Sequence, residues 1–204
     1  LSYLAMTAPI VDPVAPALPV GLTHLDLYGY TFSSAPSWPT GLSTLELYNC
    51  ALPTGLSGLP TGLEDLSLSF CSISGGVQVL PADLEKVAFI YMLGSPLQIT
   101  AWPTNLQSIH IQTDTLLADL PPWPSGLANL SLVDMPLLGV LDTFPSTLAV
   151  LSIRTLPSVT TIPPLPSSLT YFYAVDLQVQ ALPDFPPMVS SLILASLPAL
   201  HCLP

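Results

Sequence analysis

Residues 38–52 read WPTGLSTLELYNCAL, and residues 59–73 read LPTGLEDLSLSFCSI. Laid over one another, the two stretches share an apolar–proline pair at the start. They also share leucines at Leu42, Leu45 and Leu47 against Leu63, Leu66 and Leu68, and a cysteine at Cys50 against Cys71. The apolar–proline pair recurs as Leu18-Pro19, Trp38-Pro39, Leu59-Pro60, Leu80-Pro81, Trp102-Pro103, Trp123-Pro124, Phe144-Pro145, Leu165-Pro166 and Phe185-Pro186, at intervals of 20–22 residues. Self-similarity at a fixed period of this size marks a repeat architecture. Within each copy the L-x-L step alternates apolar and polar residues, which reads as a short strand with its leucines on one face. A lone strand cannot bury those leucines. Stacked copies can, as a parallel sheet over a continuous leucine core.

The core pattern L-x-x-L-x-L-x-x-[N/C]-x-L resembles the leucine-rich repeat. The short, proline-rich form is similar to the repeats of bacterial leucine-rich-repeat effectors. The resemblance covers residues 1–204 and implies an α/β-type leucine-rich-repeat solenoid, a right-handed superhelix with a parallel β-sheet on its concave side. It implies a single domain of about ten repeats, with starts near residues 18, 38, 59, 80, 102, 123, 144, 165 and 185 and partial repeats at both ends. Prolines recur in the return segments, as in Leu120-Pro121-Pro122 and Ile162-Pro163-Pro164. Proline is excluded from helix interiors, so the convex side is expected to hold polyproline II, 3₁₀ turns or irregular chain and few or no α-helices. The sequence departs from the family at the [N/C] position, which holds Tyr30, Cys50, Cys71, Met92, Asp114, Met135, Leu156, Leu177 and Leu197. Without an asparagine ladder, the turn after each strand must satisfy its backbone groups by other means.

Composition narrows the function. Half of the 204 residues are hydrophobic, yet proline or a polar residue breaks each apolar run short of the ~20 residues a membrane-spanning helix needs. Thirteen acids face only Lys86 and Arg154, for a net charge of −11. Two cations cannot neutralise a row of phosphates, which argues against nucleic acid, and the negative charge argues against an anionic membrane surface. Charged residues make up 7% of the chain, far below the ~25% usual for globular proteins. Its surface must therefore be largely Ser, Thr, Gly, Pro and apolar groups. Such a surface suits packing against copies of itself, a partner protein or glycan. The chain begins at Leu1 within a repeat and stops within another, so it is read as a piece of a longer product.

Strand alternation places His24, Asp26 and Tyr28 on one face, with Glu46 and Tyr48 one strand away and Asp65 on the next. This acidic, aromatic patch is the candidate concave-face binding site. A metal centre there would require His24, Asp26 and Glu46 to converge. A glycoside hydrolase would require two carboxyls about 5–9 Å apart in a cleft, and an open sheet does not exclude water. The plain alternative is a solvated face or a protein contact, and tyrosines among polar residues favour contact. No catalytic residue, cofactor or resident metal is expected. Cys50 and Cys71 could bridge as neighbours or fill the turn as buried thiols, the latter being the commoner arrangement, and Cys202 is left over. His110 and His201 are isolated. Asn129-Leu130-Ser131 is an N-glycosylation acceptor pattern.

The sequence is thus expected to encode not an enzyme but a non-catalytic scaffold at the cell surface or outside the cell, which self-assembles into a filament or layer. The alternative is a protein-binding module, such as a secreted effector or adhesion ectodomain, that grips its partner on the concave face.

Overall fold

The computed structural model describes residues 1–7, 18–56, 58–74, 76–94, 98–112, 117–201 and 203. Asp114, Cys202 and Pro204 lie outside them. The chain divides into two compact units, residues 1–106 and 107–204. In chain order the first unit holds β1 (Tyr3–Thr7), β2 (His24–Tyr28), β3 (Thr44–Tyr48), β4 (Ala51–Leu52), β5 (Asp65–Ser69), β6 (Ser72–Ile73), β7 (Val77–Gln78), β8 (Lys86–Ile90) and β9 (Gln98–Ile99). The second holds β10 (Ser108–Gln112), β11 (Asn129–Val133), β12 (Val150–Leu156), β13 (Tyr171–Leu177) and β14 (Ser191–Ala195). No helix occurs among the described residues, and so none is long and apolar enough to cross a membrane.

In the first unit β1, β2, β3, β5 and β8 pair in that order, all parallel. In the second, β10 to β14 do the same. The register sets like on like: Leu25 pairs Leu45, which pairs Leu66, and Leu27, Leu47 and Leu68 form the next row. All six are at most 2% exposed. In the second unit Leu130, Leu151 and Phe172 make the equivalent row, also closed to solvent. Each such side chain contributes about 1.5–3 kcal/mol by burial, which no copy could gain alone.

The recurrent proline has a defined task. The carbonyl of Pro19, Pro39, Pro60, Pro81, Pro103, Pro124, Pro145, Pro166 and Pro186 accepts the N–H of the residue three positions on, closing a turn just before the strand. That third residue is a buried leucine in eight of the nine turns, from Leu22 to Leu169, and Val189 in the last. Proline's fixed φ restricts the chain before this turn, and its missing N–H costs nothing because its carbonyl does the bonding.

The turn after each strand answers the missing asparagines. The residue just before the [N/C] position takes a left-handed conformation in every described copy from the second onward: Gly29, Asn49, Phe70, Tyr91, Asp134, Thr155, Asp176 and Ser196 have φ between 51° and 79°. Seven of the eight are not glycine, and this conformation costs an L-residue about 1–2 kcal/mol. The neighbouring copy offsets that cost. The N–H groups of Gly29, Asn49, Phe70 and Asp134 donate to the carbonyls of Tyr48, Ser69, Ile90 and Arg154 at 2.8–2.9 Å. The next rung runs the opposite way, from Ala51 to Tyr30, Ser72 to Cys50 and Leu93 to Cys71. Cys50 and Cys71 are free, buried thiols. The Cys50 N–H donates to Cys71 Sγ at 3.4 Å, and Cys71 Sγ lies 3.4 Å from the carbonyls of Leu47 and Ser69. The neighbouring Cys50 thiol, then burial, pushes the Cys71 thiol above its ordinary pKa. Where Tyr30 stands instead, its ring stacks on Phe32, which meets Trp38 edge-on, so an aromatic cluster fills the turn.

The return side is mostly irregular chain, with two short additions. β4 pairs with β6 and β7 with β9, so two short ladders run there. They arise where the chain beyond the turn stays extended in adjacent copies and the N–H groups find partners one copy away.

At Gly55 the packing demands the lack of a side chain. Its φ is +71°, and a Cβ there would lie 2.5 Å from the Gln78 side-chain oxygen and 2.8 Å from the Ser74 carbonyl. Gln78 is buried because it finishes this loop: its Oε1 accepts the Leu56 N–H and its Nε2 donates to the Gly76 carbonyl, each at 2.7 Å.

Two stability outcomes are expected. Gly55→Ala should cost on the order of 2–3 kcal/mol in chemical denaturation, through φ strain plus the clash. Gly62→Ala, with nothing within 4 Å of its Cβ, should be near neutral. Equal effects would overturn the account of this loop. Thr155→Asn should stabilise the chain by about 0.5–1 kcal/mol, because asparagine tolerates the left-handed region and a β-branched residue does not. Unchanged stability would show that the turn is not strained.

Candidate functional site

The sheet register assembles the predicted patch. Ala5, Asp26 and Glu46 lie side by side on β1, β2 and β3; Tyr3, His24 and Thr44 form the row before, and Thr7, Tyr28 and Tyr48 the row after. Asp65 begins β5, level with Thr44. Ala5 leaves space beside Asp26, and two rings fill it. The Tyr3 hydroxyl donates to Asp26 Oδ2 at 2.8 Å, and His24 Nε2 lies 2.9 Å from Asp26 Oδ1. The rings of Tyr3 and His24 are 4.9 Å apart, centre to centre.

Asp26 is only 7% exposed. Period-2 alternation assigned it to the sheet surface, correctly, but alternation carries no information about side chains from the next strand closing over it. Glu46 stays exposed and His24 half-buried. The hydrogen bond to the Asp26 carboxylate, followed by desolvation, raises the Tyr3 pKa above its usual value. A nitrogen or carboxylate oxygen from each of His24, Asp26 and Glu46 lies within 4.8 Å of the others, so the convergence required of a metal-ligand set is present.

Tyr28 and Tyr48 stand next to this cluster, 38% and 46% exposed, with ring centres 5.9 Å apart. The stripe they start runs on in a way the sequence pattern missed. Tyr48 meets Phe70 at 5.2 Å, and Phe70 stacks on Tyr91 at 4.8 Å and 11°. Strict alternation would assign Ser69 and Ile90 to this column. Phe70 and Tyr91 instead occupy the left-handed turn position, where the reversed φ breaks the alternation and returns the side chain to the same row. An aromatic residue directly after the last strand position was the available signal.

Both cations are engaged with acids. Lys86 Nζ is 3.5 Å from Asp65 Oδ2, and Arg154 Nη2 is 3.7 Å from Asp134 Oδ2. These are exposed pairs of small energetic weight, about 0–1 kcal/mol. Neither lysine nor arginine is paired with Asp26 or Glu46, and Asp26 has His24 beside it instead. In the second unit the equivalent face is more neutral, with Asn129 exposed at the start of β11 and His110 half-buried on β10.

No protein-family model matches the sequence, and no curated protein matches it. Solved structures do resemble it. YopM from Yersinia enterocolitica WA-314 shares 23% identity with a TM-score of 0.68, over 93% of this chain and 48% of its own. CroV588, a circular LRR protein, shares 17% identity with a TM-score of 0.51, over 100% of this chain and 43% of its own. The chain therefore spans about half the length, or less, of the structures it resembles. Identity at this level speaks for the fold, and the fold is a leucine-rich-repeat solenoid of stacked coils.

His110 gives this face a measurable pH response. Burial lowers its pKa below the ordinary 6.5, with a hydrogen bond to Gln112 opposing in part. A histidine depressed in the fold binds its proton more readily when unfolded. Its neutral form is accommodated fully above about pH 6.5, and stability is lost as pH falls below that value. Proton NMR should place the His110 midpoint below 6.5, and His110→Gln should flatten the stability loss between about pH 6.5 and 5. A midpoint at or above 6.5 contradicts the burial assigned to it.

Proposed function

We propose that this leucine-rich-repeat solenoid is a non-catalytic protein-binding module whose first unit receives a basic partner segment. The aromatic stripe Tyr28–Tyr48–Phe70–Tyr91 supports this most directly. It runs across four consecutive copies beside the acidic row of Asp26 and the exposed Glu46. Exposed tyrosines concentrate binding energy at protein interfaces, and arginine both stacks on tyrosine rings and pairs with carboxylates. The sheet is rigidly held by its ladder, so such a surface binds without an ordering cost of its own.

A second reading, self-assembly into an extracellular scaffold, is favoured by a different observation. Val20, Val79, Leu137 and Val140 on the return segments are 91%, 76%, 51% and 79% exposed, on a chain of which 7% is charged. Asn129, exposed in its acceptor pattern, would carry glycan in that setting. Sedimentation and electron microscopy of concentrated protein test this reading, which monodisperse single particles would defeat.

For the binding reading, the probe is a fluorescent peptide of alternating Arg and Leu, followed by anisotropy. Its affinity should fall with added salt, and Tyr28→Ala/Tyr48→Ala should weaken it by more than about 10-fold. Equal affinity for the parent and the double variant rejects this face.

A further inference from the structure

We propose that His24, Asp26 and Glu46 form a binding site for a divalent transition-metal ion of the zinc class. The three come from adjacent, hydrogen-bonded strands, so the backbone holds their spacing without any loop. They offer one imidazole nitrogen and two carboxylate oxygens, all within 4.8 Å of one another. An imidazole with carboxylates suits zinc, cobalt or nickel better than magnesium or calcium, which prefer oxygen alone.

Electrostatics point the same way. Asp26 and Glu46 are direct cross-strand partners, and like charges so placed destabilise a sheet. Lys86 and Arg154 pair elsewhere, with Asp65 and Asp134. His24 Nε2 lies 2.9 Å from Asp26 Oδ1. A divalent cation would bind between them and reach Glu46 as well. Donors about 2.0–2.2 Å from a tetrahedral ion stand about 3.3 Å apart. The 2.9 Å pair of His24 and Asp26 would open by a few tenths of an ångström, and the exposed Glu46 side chain would swing inward.

Tyr3 acts as a positioning residue. Its hydroxyl occupies Asp26 Oδ2 and leaves Oδ1 against His24, the outer partner that a metal-binding carboxylate commonly has. The fourth position of such an ion would face the open sheet, next to Tyr28 and Tyr48, where a donor from a bound partner or a water would complete it.

The test uses the full chain, stripped of metal by a chelator, with Zn²⁺ or Co²⁺ alone as probe. Calorimetry should give one equivalent of Zn²⁺, and the melting temperature should rise with Zn²⁺ but not with equal Ca²⁺ or Mg²⁺. Co²⁺ should produce visible d–d absorption without the near-ultraviolet thiolate band that cysteine ligation would add. His24→Ala and Glu46→Gln should each weaken binding by about 100-fold or more. Tyr3→Phe should weaken it by about 10-fold and leave the stoichiometry intact. Circular dichroism checks that the variants fold, and Glu46→Gln, at an exposed position, guards against loss of binding by unfolding. No binding by the parent, a thiolate band, preference for Ca²⁺, or binding that survives both His24→Ala and Glu46→Gln overturns the site.

Discussion

At the left-handed turns of Gly29, Asn49, Phe70 and Asp134 the backbone N–H finds its acceptor on the adjacent copy. Gly29 donates to Tyr48, Asn49 to Ser69, Phe70 to Ile90. The rest of the structure depends on that exchange. The turn reverses the chain out of the sheet, so the strand stays short and its two leucines face the core. The proline turn then re-aims the chain into the next strand. Asn49, Phe70 and Asp134 take the left-handed conformation with their N–H groups bonded to the next copy, and that bond offsets its cost. The strain and its remedy thus sit in different copies, which makes the stack cooperative between neighbours.

The same device shapes the candidate site. A left-handed residue breaks the in–out alternation of a strand, so Phe70 and Tyr91 extend the stripe that Tyr28 and Tyr48 begin. The register then decides the chemistry of the neighbouring row. Because Ala5 lies level with Asp26, the Tyr3 and His24 rings close over that carboxylate while Glu46, one strand on, remains open. A buried acid and an exposed acid side by side are therefore a product of one small residue on the preceding strand.

The strands, their parallel order and their leucine core follow from the 21-residue period and the L-x-L step alone, since both encode direct geometric demands. The fate of the [N/C] position was not legible. Its side chains are as different as Tyr30, Cys50 and Leu156, and what they share is a backbone conformation one residue earlier, for which Asn49, Phe70 and Thr155 give no common residue type. Likewise, His24, Asp26 and Glu46 were identifiable as neighbours from spacing. The burial of Asp26 and the part played by Tyr3 were not, because they depend on how two rings tilt across a strand boundary. The short ladders β4–β6 and β7–β9 escaped notice for a related reason. Proline marks a segment as non-helical without saying which of its N–H groups will find a neighbour.

The bonds that cross from copy to copy join main-chain atoms at matching positions, whatever side chains those positions carry. A copy removed or added as a whole would bring together the same donors and acceptors, in the same register, as before. Point changes at the leucines or at Gly55 disturb packing that every neighbour relies on, whereas gain or loss of one complete period leaves each junction equivalent. For such a molecule the number of coils is the easiest property to alter over evolutionary time. The reach of its binding surface can then be adjusted in steps of one strand, independently of the residues that recognise anything.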